Sequence, residues 1–538
     1  MDIFLDHTAA GILFAAYLVL TSWLAWLGHK KTEGLSSFAL GKGDMNPIVM
    51  GITLATSVAS VATFLVNPGF VYVHGLSALL HLGVAAPLGM FCALLLLSFG
   101  FQRLGKSSKA LTLPQWIGQR YGSTLMTIFF AAVMFLQLTF VVLIVGGLSL
   151  VMEATLGLGA TASAALIIVF VFSYIFVGGT YAHAYTNSLQ GVIMTIIAAI
   201  VVFSGVGLLT DGVAAIADQL QAVDPALTAA FNTGGEMMDE FGQPVLFGGP
   251  FSVYISGFII GFALICQPHI LIKPLYVKDQ TDLWKGLGVY LVVSLVFLAL
   301  LLVGLYAHLI GLGPDAVIGA SGAPDQDRVL IMYVVESFGP LMTAIISVAL
   351  LAAGMSTLDG ILIALSSIFA NDLFLNLTRD NLLADRDEEE RHRIAHRVGQ
   401  LILIAMGVLT FVILLLDPGV LAIFGQIGVY GIVATSAIPI LVGIFFPHIN
   451  GRVVFAAALT GLLCYLSLFL LGGAAARDGA LLNEMIPHLG PLNFLFDTHL
   501  PSLGFFNPAV PAAYAILASA LVAFPAGLWS HFKRQSSD

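Results

Sequence analysis

The run Ala352-Ala353-Gly354-Met355-Ser356-Thr357-Leu358-Asp359 sets two hydroxyls and a carboxylate in a stretch otherwise apolar enough to lie in lipid. No charge occurs from Phe338 to Leu358, and after Asp359 none recurs through Ala370. Polar and ionisable groups in a bilayer are expensive without an internal partner, so they mark ion or substrate pathways. On a helix Ala353, Ser356 and Thr357 stand at i, i+3 and i+4, on one face. A carbonyl and two hydroxyls there can help coordinate a bare monovalent cation, which implies ion-coupled transport.

Two other segments carry groups costly in lipid. Gly51 to Gly69 contains Thr53, Thr56, Ser57, Ser60 and Thr63, and ends Asn67-Pro68-Gly69. Gly257 to His269 contains Gly261 and closes on Gln267-Pro268-His269. Small and polar residues with Pro or Gly let a helix break in mid-membrane and expose its backbone, tolerated only where that backbone lines a cavity. In carriers built from inverted repeats such helices occupy equivalent places in two halves. Here they open two five-helix blocks, 47–209 and 250–446.

The elements that must position these residues follow from composition. Of 538 residues, 59% are hydrophobic and only 9% charged, against roughly 25% charged in soluble domains, and mean hydropathy is +1.00. This predicts an all-α polytopic membrane protein, not the alternating pattern of a β-barrel. Apolar runs, split at turn signals, predict thirteen spans near 8–28, 47–72, 76–100, 123–152, 160–178, 186–209, 250–272, 285–311, 337–371, 398–416, 419–446, 453–473 and 508–531. The whole chain reads as one membrane transport domain, with an extra helix over 8–28 and two more over 453–531.

The N-terminus carries acids and the first apolar run ends at Lys30-Lys31 without a small-residue cleavage site, so it reads as a retained helix with its N-terminus outside. With thirteen spans, every Lys and Arg except Arg328 and Arg477 then falls on the inner side, Lys273 included, and the C-terminus is cytoplasmic. The outer loop Thr210–Gly249 is acidic, with Asp211, Asp218, Asp224, Glu236, Asp239 and Glu240. Cys92, Cys266 and Cys464 lie in apolar spans without metal spacing and read as packing residues. The inner segment 371–397 reads as a charged, solvated face continuing as a short helix. His74 and His81 read as interfacial.

The chain resembles the sodium/solute symporter family, which includes sodium-coupled proline, pantothenate, monocarboxylate and sugar carriers. The resemblance rests on Asn67-Pro68-Gly69-Phe70-Val71-Tyr72, on Gly178-Gly179 followed by Thr186-Asn187-Ser188-Leu189-Gln190-Gly191, on Gln267-Pro268-His269-Ile270 with Lys278-Asp279, on Ala353 to Asp359, and on Gly425 to Gly431. It covers about residues 35 to 450 and implies a ten-helix core of the leucine-transporter type, in 5+5 inverted repeats, with one helix before and two after.

The resemblance implies a sodium site made of carbonyls near Thr56 and Ala59, the Ala353 carbonyl, and the Ser356 and Thr357 hydroxyls. The helical spacing independently sets the last three together. Alternatively, the two hydroxyls merely bond carbonyls of their own helix. Many members have a Thr-Asp pair where this chain has Thr186-Asn187, and some use that acid for a second sodium. A second cation site here would therefore fall to Asn187 and Asp359, or Asp359 is a buried acid bonded to Thr186 or Asn187.

A solute pocket between the two broken helices and the fourth span would be lined by Thr63, Asn67, Gln137, Thr139, Phe262, Leu264 and Gln267. Gln137 and Thr139 also read as interhelical hydrogen-bonding groups. The proline carriers place aromatic rings where this chain has Ala62, Ile260 and Leu264, which disfavours proline. His269 reads as structural or gating. The expected activity is sodium-coupled import of a small monocarboxylate or pantothenate-like acid across a bacterial inner membrane. Proton coupling through Asp359, or solute sensing without transport, are the alternatives. No nucleophile–base set, metal cluster beyond sodium, cofactor motif or nucleic-acid-binding patch is evident, so enzymatic function is not expected.

Overall fold

The computed structural model describes residues 7–30, 35–40, 43–231, 246–318, 325–379, 381–416, 421–478 and 507–535. It is all-helical, and no β-strand element occurs among the described residues. The chain opens with α1 (His7–His29) and the short α2 (Leu35–Leu40). Asn46 then caps α3 (Pro47–Val58) by accepting from the Ile48 N–H, with proline at the first helical position. At Ala59 the backbone turns extended (φ −84, ψ 105) and the helix stops. The Ser60 hydroxyl accepts from the Ala62 N–H at 3.1 Å. From there the chain resumes as a π-turn over Ala62–Val66 and α4 (Asn67–Leu80). The expected second span is thus broken near its middle.

A second π-turn, His81–Ala85, leads into α5 (Ala86–Ser108). After α6 (Leu113–Tyr121), α7 (Thr124–Met134) and α8 (Leu138–Leu156) form one bent span through the 3-10 turn Phe135–Gln137. The expected pair 160–178 and 186–209 forms two helical stretches of α9 (Ala160–Ser204), parted by a non-helical kink at Gly179 (φ 59, ψ −153). The acidic segment expected outside forms α10 (Val213–Val223). Glu236, Asp239 and Glu240, and likewise Lys31 and Lys42, lie outside the described residues.

The seventh expected span breaks as the second does. A π-turn Phe251–Ile255 and α11 (Ser256–Leu264) end at the Ile265–Gln267 connection. Beyond it, α12 (Pro268–Leu271) and the 3-10 turn Lys273–Tyr276 leave at 58°. Next come α13 (Gln280–Ala299), α14 (Leu302–Leu309), α15 (Val329–Ser337) and α16 (Pro340–Ile368), the last prolonged by a π-turn and α17 (Leu375–Thr378). Asp387 caps α18 (Glu388–Leu415), so the last part of the charged segment, from Glu388, and the tenth expected span are one continuous helix. The chain closes with α19 (Leu421–Phe445), α20 (Gly451–Asp478) and α21 (Ala509–Gln535).

By length and apolarity, ten helices among the described residues can cross a membrane, or eleven with the bent 251–276 pair as one span. The expected thirteen also counts 160–178 separately and divides 62–107 between 72 and 76, joining its first part to α3; both divisions fall at non-helical glycines, Gly179 and Gly75 (φ 54, ψ −130). The helix α16 lies at the centre, every residue from Ala349 to Ile363 being buried. Around it α9 packs against α1, α3, α8 and α16, while α19, α20 and α21 cluster at one side. Lipid-facing positions such as Val19, Ile404 and Leu521 are exposed and apolar, as a bilayer solvent requires.

Candidate functional site

The break after Val58 brings the unwound backbone of α3 against the middle of α16. Thr357 Oγ1 lies 3.0 Å from the Thr56 carbonyl oxygen and 3.4 Å from that of Ala59. Ser356 Oγ lies 3.3 Å from the Thr56 oxygen and 2.8 Å from the Ala353 oxygen. All five groups that the sequence singles out therefore meet at one point. Thr56, Ala353, Ser356 and Thr357 are fully buried there and Ala59 is 4% exposed. The hydroxyls do not simply bond back along their own helix, since both reach across to α3. A regular helix would engage the Thr56 carbonyl four residues on, and the extended Ala59 interrupts that pattern so that the backbone of α3 can offer oxygens there. Such oxygen groups are ligands suited to a hard cation.

One layer behind lies a second polar cluster on α9. Asn187 Oδ1 takes the Thr56 hydroxyl, and its Nδ2 donates to the Ser356 carbonyl at 3.2 Å. Asp359, two residues beyond Thr357, accepts from the Tyr174 hydroxyl and from Thr186 Oγ1 at 3.2 Å. His183 Nδ1 stands 4.0 Å from Asp359 Oδ2, and His183 Nε2 is 3.1 Å from Lys273 Nζ. Asn187 and Asp359, expected together at a second cation site, share the neighbour His183. Asp359 keeps the expected Thr186 partner, whereas Asn187 is engaged elsewhere. The N-terminal helix adds support: Gln190 Nε2 donates to Tyr17 OH at 2.9 Å, and that hydroxyl lies 3.7 Å from Met355 Sδ.

A cavity of about 230 Å³ opens between the broken helices, α5, α13 and α19. Thr63, Asn67, Leu264 and Gln267 line it as expected of a solute pocket, while Gln137, Thr139 and Phe262 do not. Gln137 stands behind, bonding Gln267 Oε1 at 2.9 Å and His269 Nδ1 at 2.8 Å. Thr139 ties α8 to the Gly425 carbonyl of α19 at 3.1 Å. Phe262 sits on the face of α11 that meets α5, its backbone N 2.7 Å from where a side chain on Gly89 would begin. In their place the cavity gains Ser57, Phe140, Tyr290, Gln426 and Tyr430. Ser57 Oγ is buried without a hydrogen-bond partner among the described residues, an unsatisfied group facing the cavity. No Lys, Arg, Asp or Glu lines it.

His269 borders this cavity and a second, much smaller one of about 20 Å³ that Lys273 and His183 also line. Two histidines depart from the sequence reading. His81 is buried and bonds the Ser252 carbonyl at 2.8 Å through Nδ1, and His74 is buried beside Phe70 and Phe247. Lys273 also departs: it is 1% exposed, inside the bundle. His183, Lys273 and Tyr174 carry no local signal beyond being polar groups in apolar runs, the one feature that would have flagged them.

Comparison with known proteins bears on this arrangement. A family profile described as the sodium:solute symporter family matches residues 38–461. A sodium/pantothenate symporter of Haemophilus influenzae is 26% identical over 471 residues, 86% of this chain and 90% of that protein. An osmoregulated proline transporter of Bacillus subtilis is 26% identical over 383 residues, 69% and 71% of the two chains. Among solved structures, a Na+-coupled sialic acid symporter in a substrate-bound outward-open state superposes with a TM-score of 0.71 at 16% identity, over 96% of this chain and 98% of that one. The fold is that of this symporter, the all-helical class the sequence implies, and these relatives are transporters, not enzymes.

Proposed function

The chain belongs to the sodium:solute symporter family, and on that premise we propose that it imports a small organic acid, of the monocarboxylate or pantothenate-like kind, together with sodium by alternating access. The observation that carries this reading is the convergence of the Thr56, Ala59 and Ala353 carbonyls with the Ser356 and Thr357 hydroxyls. Sodium held there ties α3 to α16 beside the cavity and so organises the solute pocket next to it. The blocks 47–209 and 250–446 act as two halves, each opened by a broken helix. The N-terminus lies outside and the C-terminus in the cytoplasm of a bacterial plasma membrane.

Extended similarity to a pantothenate symporter supports an acid. Hydroxyl and amide groups such as Thr63, Asn67, Gln267 and Gln426 line the cavity, and these suit a solute rich in hydrogen-bonding groups. Moving one charge through 100 mV supplies about 2.3 kcal/mol, and a tenfold sodium gradient about 1.4 kcal/mol. One sodium can therefore concentrate a neutral solute on the order of 500-fold, but a univalent anion only about tenfold, since the charges cancel.

The test is uptake by proteoliposomes of labelled acetate, pyruvate, propionate, pantothenate, proline and glucose, with and without an inward sodium gradient. Sodium-driven accumulation of one of the acids is expected. Accumulation of proline or glucose instead would overturn the substrate assignment. Uptake driven equally by a proton gradient alone would transfer the coupling to Asp359. Binding without uptake would make the protein a sensor.

A further inference from the structure

Among the described residues Lys273 is the one buried Lys or Arg, and the solute cavity and the five-oxygen cluster both leave it aside. Its surroundings fix its hydrogen bonding. The ammonium can only donate, and so can the amide nitrogen of Asn187. Both stand at His183 Nε2, Nζ at 3.1 Å and Nδ2 at 3.3 Å. That ring nitrogen must therefore offer its lone pair, which puts the imidazole proton on Nδ1. Nδ1 has no hydrogen-bond partner among the described residues, and Asp359 Oδ2 lies 4.0 Å from it. The imidazole thus lies between ammonium and carboxylate, one ring nitrogen near each.

The other groups around these three bring no charge of their own. Tyr174 and Thr186 of α9 give hydroxyls to Asp359. Tyr17 of α1 is held by Gln190. His269 of α12 is engaged with Gln137, and Tyr276 follows Lys273 on the same turn. An ionised carboxylate this deep in a membrane protein needs a cation. A free ion could fill that role, but here the chain supplies the charge itself.

We propose that Lys273 is a tethered counter-cation. Its ammonium, relayed through His183, neutralises Asp359 from within the bundle, so the protein takes one sodium at the Thr56–Thr357 cluster and none at Asp359. This rests on the sodium reading above and deepens it by fixing the number of ions. Asn187 joins the two clusters, since it touches His183 on one side and Thr56 and Ser356 on the other. Lys273 is a positioning residue, acting on the carboxylate through the imidazole.

The experiment is equilibrium binding of radiosodium to the purified full chain, which needs no knowledge of the solute. One ion per chain is expected for the wild type and for Lys273→Arg. Lys273→Met exposes Asp359 as a second site and should take up two. The charge-balanced pair Lys273→Met with Asp359→Asn should return to one, and it keeps the test open if the single variant fails to fold. Two ions on the wild type would overturn the inference while leaving sodium coupling intact. One ion on Lys273→Met with unchanged affinity, or two on the charge-balanced pair, would overturn it as well. No sodium on any of these proteins would overturn the sodium reading and this inference with it.

Discussion

Thr357 has one hydroxyl proton and two lone pairs, and it stands within reach of two carbonyls from another helix. With the proton turned away, the lone pairs and those carbonyls all face one point, the arrangement a small cation needs. Removing one such hydrogen-bonding or ligand oxygen is worth about 1–3 kcal/mol. Thr357→Ala should therefore weaken sodium activation of uptake by roughly ten- to a hundredfold, while Thr357→Ser, which keeps the hydroxyl, should recover most of it. Sodium dependence of initial uptake rates reads this directly, and an unchanged half-saturating concentration in the alanine variant would sink the site. Ser356 and Thr357 were legible in the sequence because a hydroxyl pair at adjacent positions of an apolar helix is a local fact. Ser57 was read there only as one hydroxyl of several, and its bearing on the cavity depends on how α3 is rotated against its neighbours.

At the scale of elements, bends decide which polar groups meet. The helix α9 carries Tyr174 before its bend and His183 and Asn187 after it, and the turn at Gly179 sets one half against the other. Gly179 has φ +59, and a side chain there would begin 2.5 Å from Phe38 Cδ2 of α2. Both the backbone conformation and the contact exclude a Cβ. Gly179→Ala should cost about 1–3 kcal/mol and appear as a lower unfolding temperature in detergent, with a larger loss of transport than of expression. A wild-type unfolding temperature would mean that the bend does not need glycine. The Gly178-Gly179 pair was visible as a division of the apolar run, but a chain break and a bend within one helix look alike in composition. The short helix expected at the end of the charged segment is present over 388–397, capped by Asp387, and it runs without a break into the following span as α18.

For the whole molecule, one group in a connecting segment reports on how the loops close over the bundle. Asp327, between α14 and α15, is 6% exposed and Oδ1 has no partner among the described residues. Burial, with the neighbouring Asp325 carboxylate adding to it, pushes its carboxyl up to about 7. An unfolded aspartate titrates near 3.9. Between these values the native state keeps a proton that the unfolded state has lost, so stability falls as pH rises from about 4 through 7. Thermal unfolding should accordingly show the wild type losing stability toward pH 8, and Asp327→Asn should remove part of that slope. Parallel pH profiles for the two proteins would show that the carboxyl is not buried in the folded state.

The sequence by itself determined the membrane class, the two broken helices and the three groups on α16, Ala353, Ser356 and Thr357, while the Thr56 and Ala59 carbonyls came from the family resemblance. The features read from the residues are written in local terms: run length, helical spacing, and a hydroxyl, proline or glycine where lipid would not tolerate it. Tertiary structure alone decided which polar groups face one another. Lys273 follows the break at Gln267 by six positions and, as a lysine near the end of an apolar run, reads as an anchor at the membrane surface. The 58° turn between α11 and the segment after it directs the residue inward to His183, ninety positions earlier in the chain. Distances between segments so far apart depend on packing of every helix between them, and no local pattern encodes that sum. For the same reason Gln137, Thr139 and Phe262 fell outside the cavity while Tyr290, Gln426 and Tyr430 came into it.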